Sequence, residues 1–113
     1  MGKPVVHFEV CGGDGKRLQA FYRDLFEWRI NADNPMNYGI VDTQSGGKGI
    51  AGGVGPAPAR VTFYVEVADL NACLQQAKKL GATVVMEPSA VPGGPTIAMF
   101  KDPEGNVIGL VRG

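Results

Sequence analysis

The stretch Phe100-Lys101-Asp102-Pro103-Glu104-Gly105-Asn106 decides the fold, because it combines a strand end with a tight turn. Proline pre-sets the φ angle of an early turn position, and glycine accepts the left-handed conformation that a later position requires. The apolar residues on either side predict two strands, at 96–100 and 107–111. The C-terminal end of the chain is therefore predicted to be two strands joined by this turn.

The residues upstream of these strands extend the pattern to a complete module. Residues 61–67 are predicted to form a strand, and Asp69 is placed to cap the helix that follows. The helix is indicated by apolar residues on one stripe (Leu70, Leu74, Ala77 and Leu80), and Gly81 ends it. A strand over 83–86 completes the order βαβββ.

The first half of the chain repeats this order. Strands are predicted at 5–11, 28–30, 38–42 and 49–54, with turns at Asp33-Asn34-Pro35 and Ser45-Gly46-Gly47. Between the first two strands, Asp14 precedes a helix with apolar residues at three- and four-residue spacing (Leu18, Phe21, Tyr22, Leu25 and Phe26). The aromatic residues among them, with Trp28, are expected to pack between helix and sheet.

The two halves align as a degenerate duplication of roughly 55 to 58 residues. Glu9-Val10 falls on Glu66-Val67, and Asp14 falls on Asp69. We therefore predict a single α+β domain over residues 1–113, with module 1 at about 4–55 and module 2 at about 60–113.

Composition restricts the classes of partner. The 113 residues include 11 Lys and Arg, 11 Asp and Glu and one His, so the formal net charge is zero. Without a basic excess, neither nucleic acid nor an anionic membrane is an expected partner. No apolar run approaches the roughly 20 residues that a membrane span needs. Cys11 and Cys73 lack the spacing of a redox motif, and we expect a cytoplasmic protein with two structural thiols.

Taken together, these features resemble the vicinal-oxygen-chelate superfamily of glyoxalases, bleomycin-resistance proteins and extradiol dioxygenases. The resemblance covers essentially the whole chain, and the duplicated βαβββ order and the Asp-Pro-Glu-Gly-Asn turn are its most specific parts. The segments that carry it are Val6-His7-Phe8-Glu9-Val10, Phe21-Tyr22-Arg23-Asp24-Leu25-Phe26-Glu27-Trp28, Tyr64-Val65-Glu66-Val67-Ala68-Asp69-Leu70, Leu80-Gly81-Ala82 and the turn 100–106.

The resemblance implies two modules whose strands form a cupped eight-stranded mixed sheet, with helices on the convex side and a cleft on the concave side. In metal-dependent members it implies four ligands, which fall here on His7, Ala51, Tyr64 and Gly109. Only His7 is a ligand of the usual kind, whereas a divalent metal needs at least three protein donors. We therefore expect neither a metal nor another cofactor.

The candidate ligand-binding residues are His7, Glu9, Ala51, Tyr64, Glu66 and Gly109. Strand alternation puts His7 with Glu9 and Tyr64 with Glu66 on shared faces, as equivalent pairs across one cleft. The small residues at Ala51 and Gly109 are expected to leave room for a ligand.

Structural alternatives to these roles remain. His7 can be a hydrogen-bonded structural histidine, and the two carboxylates can be neutralised by Arg60, Arg112 or Arg29. The glycines can serve close strand contacts instead of a cleft.

Two functions are compatible with these residues. The first is a metal-free protein of the bleomycin-resistance type that binds or sequesters a small organic ligand in a concave cleft. The second is a lyase, isomerase or hydroxylase-like enzyme that uses His7 and Glu9 or Glu66, with or without a divalent metal. The two carboxylates and Tyr64 favour a cationic or aromatic ligand, and we expect a homodimer. The catalytic residues, if any, and the ligand remain open.

Overall fold

The computed structural model describes residues 2–43 and 46–113. Of the predicted turn Ser45-Gly46-Gly47, Ser45 lies outside the described residues. The chain divides into two compact units, which we name by their order. The N-terminal unit is Val6–Thr62, and the C-terminal unit is Phe63–Gly113 together with the N-terminal residues through Val5.

The N-terminal unit has the predicted βαβββ order. Its elements are β1 (Val5–Gly12), α1 (Gly15–Phe26), β2 (Arg29–Asn31), β3 (Gly39–Asp42) and β4 (Gly52–Pro56). The strand order is β2-β3-β4-β1, in which β1 and β4 are parallel and the other neighbours are antiparallel.

The C-terminal unit repeats this arrangement. Its elements are β5 (Arg60–Val67), whose first residues belong to the N-terminal unit, α2 (Leu70–Lys79), β6 (Thr83–Ala90), β7 (Thr96–Lys101) and β8 (Val107–Arg112). The strand order is β5-β8-β7-β6, again with one parallel pair, β5 and β8. The prediction of an α+β fold with two βαβββ modules and mixed strand pairing is confirmed.

Local signals explain the element boundaries. The Asp14 side chain accepts a hydrogen bond from Arg17 N at 3.1 Å, and Asp69 accepts one from Ala72 N at 3.0 Å, so both predicted caps are present. The turn before β8 closes on Asp102, whose carboxylate accepts bonds from the backbone of Glu104 and Asn106, each at 2.9 Å. The hydrogen bonds from Asn106 hold the pKa of the Asp102 carboxyl below its usual value.

The core of the C-terminal unit is apolar. It contains Val67, Leu70, Leu74, Ala98 and Leu110. Of the predicted stripe, Leu70 and Leu74 therefore pack in the core, whereas Leu80 follows the helix as its C-cap and is 70% exposed. None of the helices among the described residues is long and apolar enough to cross a membrane.

The packing of α1 differs from the expectation that all its aromatic residues are core. Trp28 contacts the rings of Phe8 and Tyr22 at centroid distances of 5.3 and 5.4 Å, as predicted. In contrast, Phe21, Leu25 and Phe26 are 55%, 57% and 53% exposed. The start of α1 lies close to the sheet, since a Cβ added at Gly15 would lie 2.9 Å from Pro56. Phe21 and Leu25 thus form an apolar side of α1 that is exposed to solvent.

Candidate functional site

Strand β1 presents two chemically different faces. Phe8 packs in the aromatic cluster with Trp28, whereas His7, Glu9 and Cys11 share the opposite face. The predicted pairing of His7 with Glu9 on one face is therefore confirmed. Glu9 and Cys11 are buried, and His7 is half-buried.

Four side chains of the N-terminal unit form one polar network, namely His7, Tyr38, Glu9 and Arg60. His7 Nε2 lies 2.8 Å from Tyr38 Oη, and Tyr38 Oη donates to Glu9 Oε2 at 2.9 Å. Arg60 Nη2 donates to Glu9 Oε1 at 3.0 Å and forms an ion pair with it. Two of the structural alternatives are therefore observed, namely a hydrogen-bonded His7 and the neutralisation of Glu9 by Arg60.

The proton count in this network assigns the histidine tautomer. The ionised carboxylate of Glu9 carries no proton, so the single hydroxyl proton of Tyr38 lies in the bond to Glu9. The Tyr38 oxygen then accepts the proton on His7 Nε2. Nδ1 of the neutral imidazole is consequently a hydrogen-bond acceptor.

Tyr38 is held in place by its own backbone. Asn34 accepts from Tyr38 N at 2.9 Å and donates to Tyr38 O at 2.7 Å. Gln19, which is buried, donates to the carbonyls of Asn37 at 3.0 Å and Val54 at 2.8 Å. These bonds fix the segment that carries Tyr38 against β4.

The glycines of β4 make room for the Tyr38 ring. A Cβ at Gly53 would overlap the hydroxyl of Tyr38, and one at Gly55 would lie 2.7 Å from its ring. The glycine positions on this face are therefore filled by the Tyr38 side chain, which is neither an open cleft nor the close strand contact weighed above.

Burial sets the protonation states at this site. Desolvation lowers the pKa of His7 below its ordinary value of 6.5, and the nearby Glu9 carboxylate opposes this shift. Burial, followed by the charge of Glu9, raises the pKa of the Cys11 thiol to about 11. At neutral pH, His7 is therefore neutral and Cys11 is a protonated, unreactive thiol.

The other predicted site residues lie in the C-terminal unit or at the edge of β4. The strand register pairs Tyr64 with Gly109, and a Cβ at Gly109 would lie 2.5 Å from the buried Tyr64 ring. The space expected beside Gly109 is thus occupied by Tyr64, which corrects that expectation. Glu66 is exposed. Ala51 is exposed just before β4, one residue outside its start, and its carbonyl accepts from Phe8 N at 3.4 Å.

The donor set does not fit the metal of the family. Of the four equivalent positions, Ala51 and Gly109 have no donor atoms in their side chains, and the Tyr64 ring packs on Gly109. Within residues 2–43 and 46–113, no three His, Cys, Asp or Glu side chains are grouped closely enough to hold a metal ion. We therefore derive no chemistry through a metal.

Three residues of the site, Asn34, Gln19 and Tyr38, are not among the candidate residues predicted from the sequence. One signal was available, because a strand with the sequence Gly52-Gly53-Val54-Gly55 lacks side chains on one face and needs a bulky neighbour to fill it. Which neighbour fills it depends on contacts that are distant in sequence.

Comparison with known proteins identifies the family. The sequence profile described as a glyoxalase-like domain matches residues 9–111. The chain belongs to the glyoxalase-like domain family. Membership confirms the resemblance to the vicinal-oxygen-chelate superfamily. A search of the curated proteins finds no match.

Solved structures share the fold of this glyoxalase-like protein. A glyoxalase/bleomycin resistance protein/dioxygenase superfamily member from Vibrio splendidus 12B01 is similar with a TM-score of 0.68 and 15% identity, over 99% of this chain and 100% of that one. A variant of methylmalonyl-CoA epimerase from Streptomyces coelicolor, in complex with 2-nitronate-propionyl-CoA, has a TM-score of 0.68 and 18% identity, over 97% of this chain and 96% of that one. The Mn(II)-bound glyoxalase from Novosphingobium aromaticivorans has a TM-score of 0.70 and 17% identity, over 97% of this chain and 38% of that one. At these identities the similarity concerns the fold alone.

Proposed function

We propose that this glyoxalase-like protein binds a small organic ligand at the His7 face of β1, without a resident metal. The observation that carries the proposal is the network in which His7, Tyr38, Glu9 and Arg60 are connected by hydrogen bonds of 2.8 to 3.0 Å. Convergent polar groups on a buried strand are typical of the few groups that orient a ligand.

The charges of the network modify the expected ligand. Glu9 already has Arg60 as its counter-ion at 3.0 Å, so Glu9 does not need a cationic ligand to balance its charge. The pair together with neutral His7 and Tyr38 has no net charge. We therefore propose a neutral aromatic ligand that packs against the His7 imidazole and hydrogen-bonds to the polar network, and retain a cationic ligand as the competing outcome. Cys11 and Cys73 form no disulfide, which supports a cytoplasmic location as part of the same proposal.

The test uses the single histidine of the chain, because its imidazole signals need no assignment. We would titrate the protein with benzyl alcohol, benzylammonium and benzoate, following the His7 imidazole by NMR and the heat by calorimetry. The proposal expects the neutral probe to shift the His7 signals. Tyr38→Phe should weaken binding by about 5- to 10-fold, because the hydroxyl that joins His7 to Glu9 is lost.

Matched variants locate the site. Glu66→Gln in the C-terminal unit should leave binding unchanged, whereas Glu9→Gln should weaken it. Binding of benzylammonium alone, weakened by both variants, would favour the cation predicted from the sequence. No shift of His7 with any probe would contradict a ligand at this face.

A second candidate, proton transfer in an isomerase-like reaction, is favoured by the lowered pKa of His7. A neutral imidazole can accept a proton from the carbon beside a thioester carbonyl, which leaves an enolate and an imidazolium, and can then return the proton. The structural similarity to methylmalonyl-CoA epimerase makes acyl-CoA thioesters the first class to test.

This candidate predicts deuterium incorporation from D₂O into a branched acyl-CoA, measured by mass spectrometry. His7→Ala should abolish it, while Glu66→Gln should not. Binding of the thioester without any exchange would leave the binding function alone.

A further inference from the structure

The exposed side of α1 is the least expected surface of the molecule. Phe21 and Leu25 lie one helical turn apart and are each more than half exposed, whereas large apolar residues of an amphipathic helix normally face the core. We propose that this side of α1 forms an antiparallel, two-fold symmetric contact with α1 of a second copy of the chain.

The spacing along α1 fits a helix pair. Leu18, Phe21 and Leu25 follow each other at three and four residues, which places them on one stripe. Arg17 and Asp24 are seven residues apart and exposed, so they lie on the same border of this stripe. The stripe thus has an apolar centre. Along one border of the stripe, Arg17 lies near the start of the helix and Asp24 lies near its end.

A two-fold axis makes this border complementary to itself. In an antiparallel pair of identical helices, residues of one border face the same border of the other helix in reversed order. With Phe21 near the axis, Arg17 of each copy faces Asp24 of the other, which gives two equivalent ion pairs. The same register places Leu25 of each copy against Leu18.

The surface around Leu18 has the shape that this register needs. Arg17, Leu18, Phe21 and Tyr22 line a shallow depression at the start of α1. The Leu25 side chain of a second copy would enter that depression. An anionic membrane fits less well, because Asp24 and Glu27 alternate with the basic residues of α1.

The second helix keeps an exposed leucine, Leu80, at the position of Leu25, but lacks the central phenylalanine and the two charges of this pattern. Counted from the capping residues Asp14 and Asp69, the positions of Arg17, Phe21 and Asp24 are taken by Ala72, Gln76 and Lys79. No opposite charges are repeated there, so we assign the contact to α1 alone. One helix pair buries much less than the roughly 800 Å² per partner of a standard interface. The dimer should accordingly be weak, with a dissociation constant of about 10 to 100 µM.

The experiment is sedimentation velocity of the full chain, from a few micromolar to about 500 µM, well above the expected constant. Arg17→Glu and Asp24→Arg should each weaken the dimer about 10-fold, because each brings like charges together. The double variant should return to within about 3-fold of the wild type. High salt should weaken the wild-type dimer.

These variants keep the helix intact. Arg17→Glu places an acidic residue three positions after the Asp14 cap, and Asp24→Arg places a basic residue near the helix end, and both favour helix formation. Phe21→Asp should abolish the dimer, and Gln76→Asp on α2 should have no effect. A monomer at 500 µM, a dimer that survives Phe21→Asp, or a double variant as weak as the single ones would each overturn the proposal.

Discussion

The two units share a backbone order but differ in what their equivalent strands carry. On β1, Glu9 is buried and bound by Tyr38 and Arg60, whereas Glu66 at the same position of β5 is exposed. Position by position, His7 corresponds to Tyr64, whose ring packs on Gly109. In the C-terminal unit, the Tyr64 ring therefore occupies the region that corresponds to the polar network of the N-terminal unit.

The source of the difference is the residue that precedes the third strand. Val41 and Ala98 are fully buried at equivalent positions of β3 and β7. Tyr38 lies three residues before Val41, and Pro95 lies three residues before Ala98. Proline has no side-chain hydrogen-bonding group, so Glu66 cannot receive a bond like that from Tyr38 to Glu9.

This contrast indicates a division of roles within a duplicated fold. The C-terminal unit has a continuous apolar cluster around Leu74, and such burial is the main source of folding stability. The N-terminal unit places polar groups at the equivalent depth, where they stabilise less and can bind a ligand.

The largest expected effect on the free energy of unfolding comes from truncating a side chain in the apolar cluster of the C-terminal unit. Leu74 is 2% exposed, so Leu74→Ala should lower the free energy of unfolding by about 2 to 5 kcal/mol through lost burial and a cavity. Phe21→Ala in the N-terminal unit should change it by only about 0.5 kcal/mol, because Phe21 is exposed. Urea unfolding at low protein concentration measures both. Equal effects would contradict the division.

A smaller effect is expected where the polar network meets β4. In Gly53→Ala, the new methyl group would overlap the Tyr38 hydroxyl, so Tyr38 must move and the unfolding free energy should fall by about 1 to 3 kcal/mol. The His7 imidazole signals should shift in the same variant, because Tyr38 is the partner of His7 Nε2. Gly13→Ala is the control, since no atom lies within 4 Å of its added Cβ. Unchanged His7 signals would show that Gly53 does not position Tyr38.

Much of the fold could be predicted because its signals are local. The Asp14 and Asp69 caps and the turn at Asp102 depend on residues within four positions, and all three are present. The shared face of His7 and Glu9 follows from strand alternation alone.

The rest could not be predicted because it depends on distant contacts. The position of Tyr38 is set by Gln19, 18 residues from Asn37 and 35 from Val54. The apolar pattern of α1 gave no reason to bury Gln19, and the approach of Gly15 to Pro56 is equally non-local. The exposure of Phe21 and Leu25 likewise has no signal in the apolar pattern of α1, which predicts that both side chains are buried.

Loss of the ion pair between Arg60 and Glu9 should have a moderate effect on the free energy of unfolding, and Glu66 provides the comparison. The side chains of Arg60 and Glu9 are 35% and 9% exposed, so Arg60→Met leaves a buried carboxylate without its counter-ion. We expect a loss of about 1 to 3 kcal/mol, of which the double variant with Glu9→Gln recovers about half.

The comparison in the C-terminal unit is Arg112→Met with Glu66→Gln. Both residues are exposed, and their variants should change the unfolding free energy by less than about 0.5 kcal/mol each. Additive effects of Arg60→Met and Glu9→Gln in urea unfolding would show that the pair contributes nothing to folding.

The smallest expected effect is the pH dependence that His7 gives to the N-terminal unit, since Tyr64 occupies its position in the other unit. Desolvation holds the pKa of folded His7 below 6.5, so below that pH the unfolded chain binds a proton that the folded protein does not. The contribution of neutral His7 is therefore complete above pH 6.5 and declines as the pH falls towards the folded pKa.

Unfolding free energies at pH 7.5, 6.0 and 5.0 should fall more for the wild type than for His7→Gln, in which this group is absent. NMR titration of the imidazole gives the pKa directly, and Glu9→Gln should lower it further because the carboxylate opposes the shift. A pKa above 6.5 would mean that the attraction of Glu9 exceeds desolvation, and His7 would then be charged and unable to accept a proton near that pH.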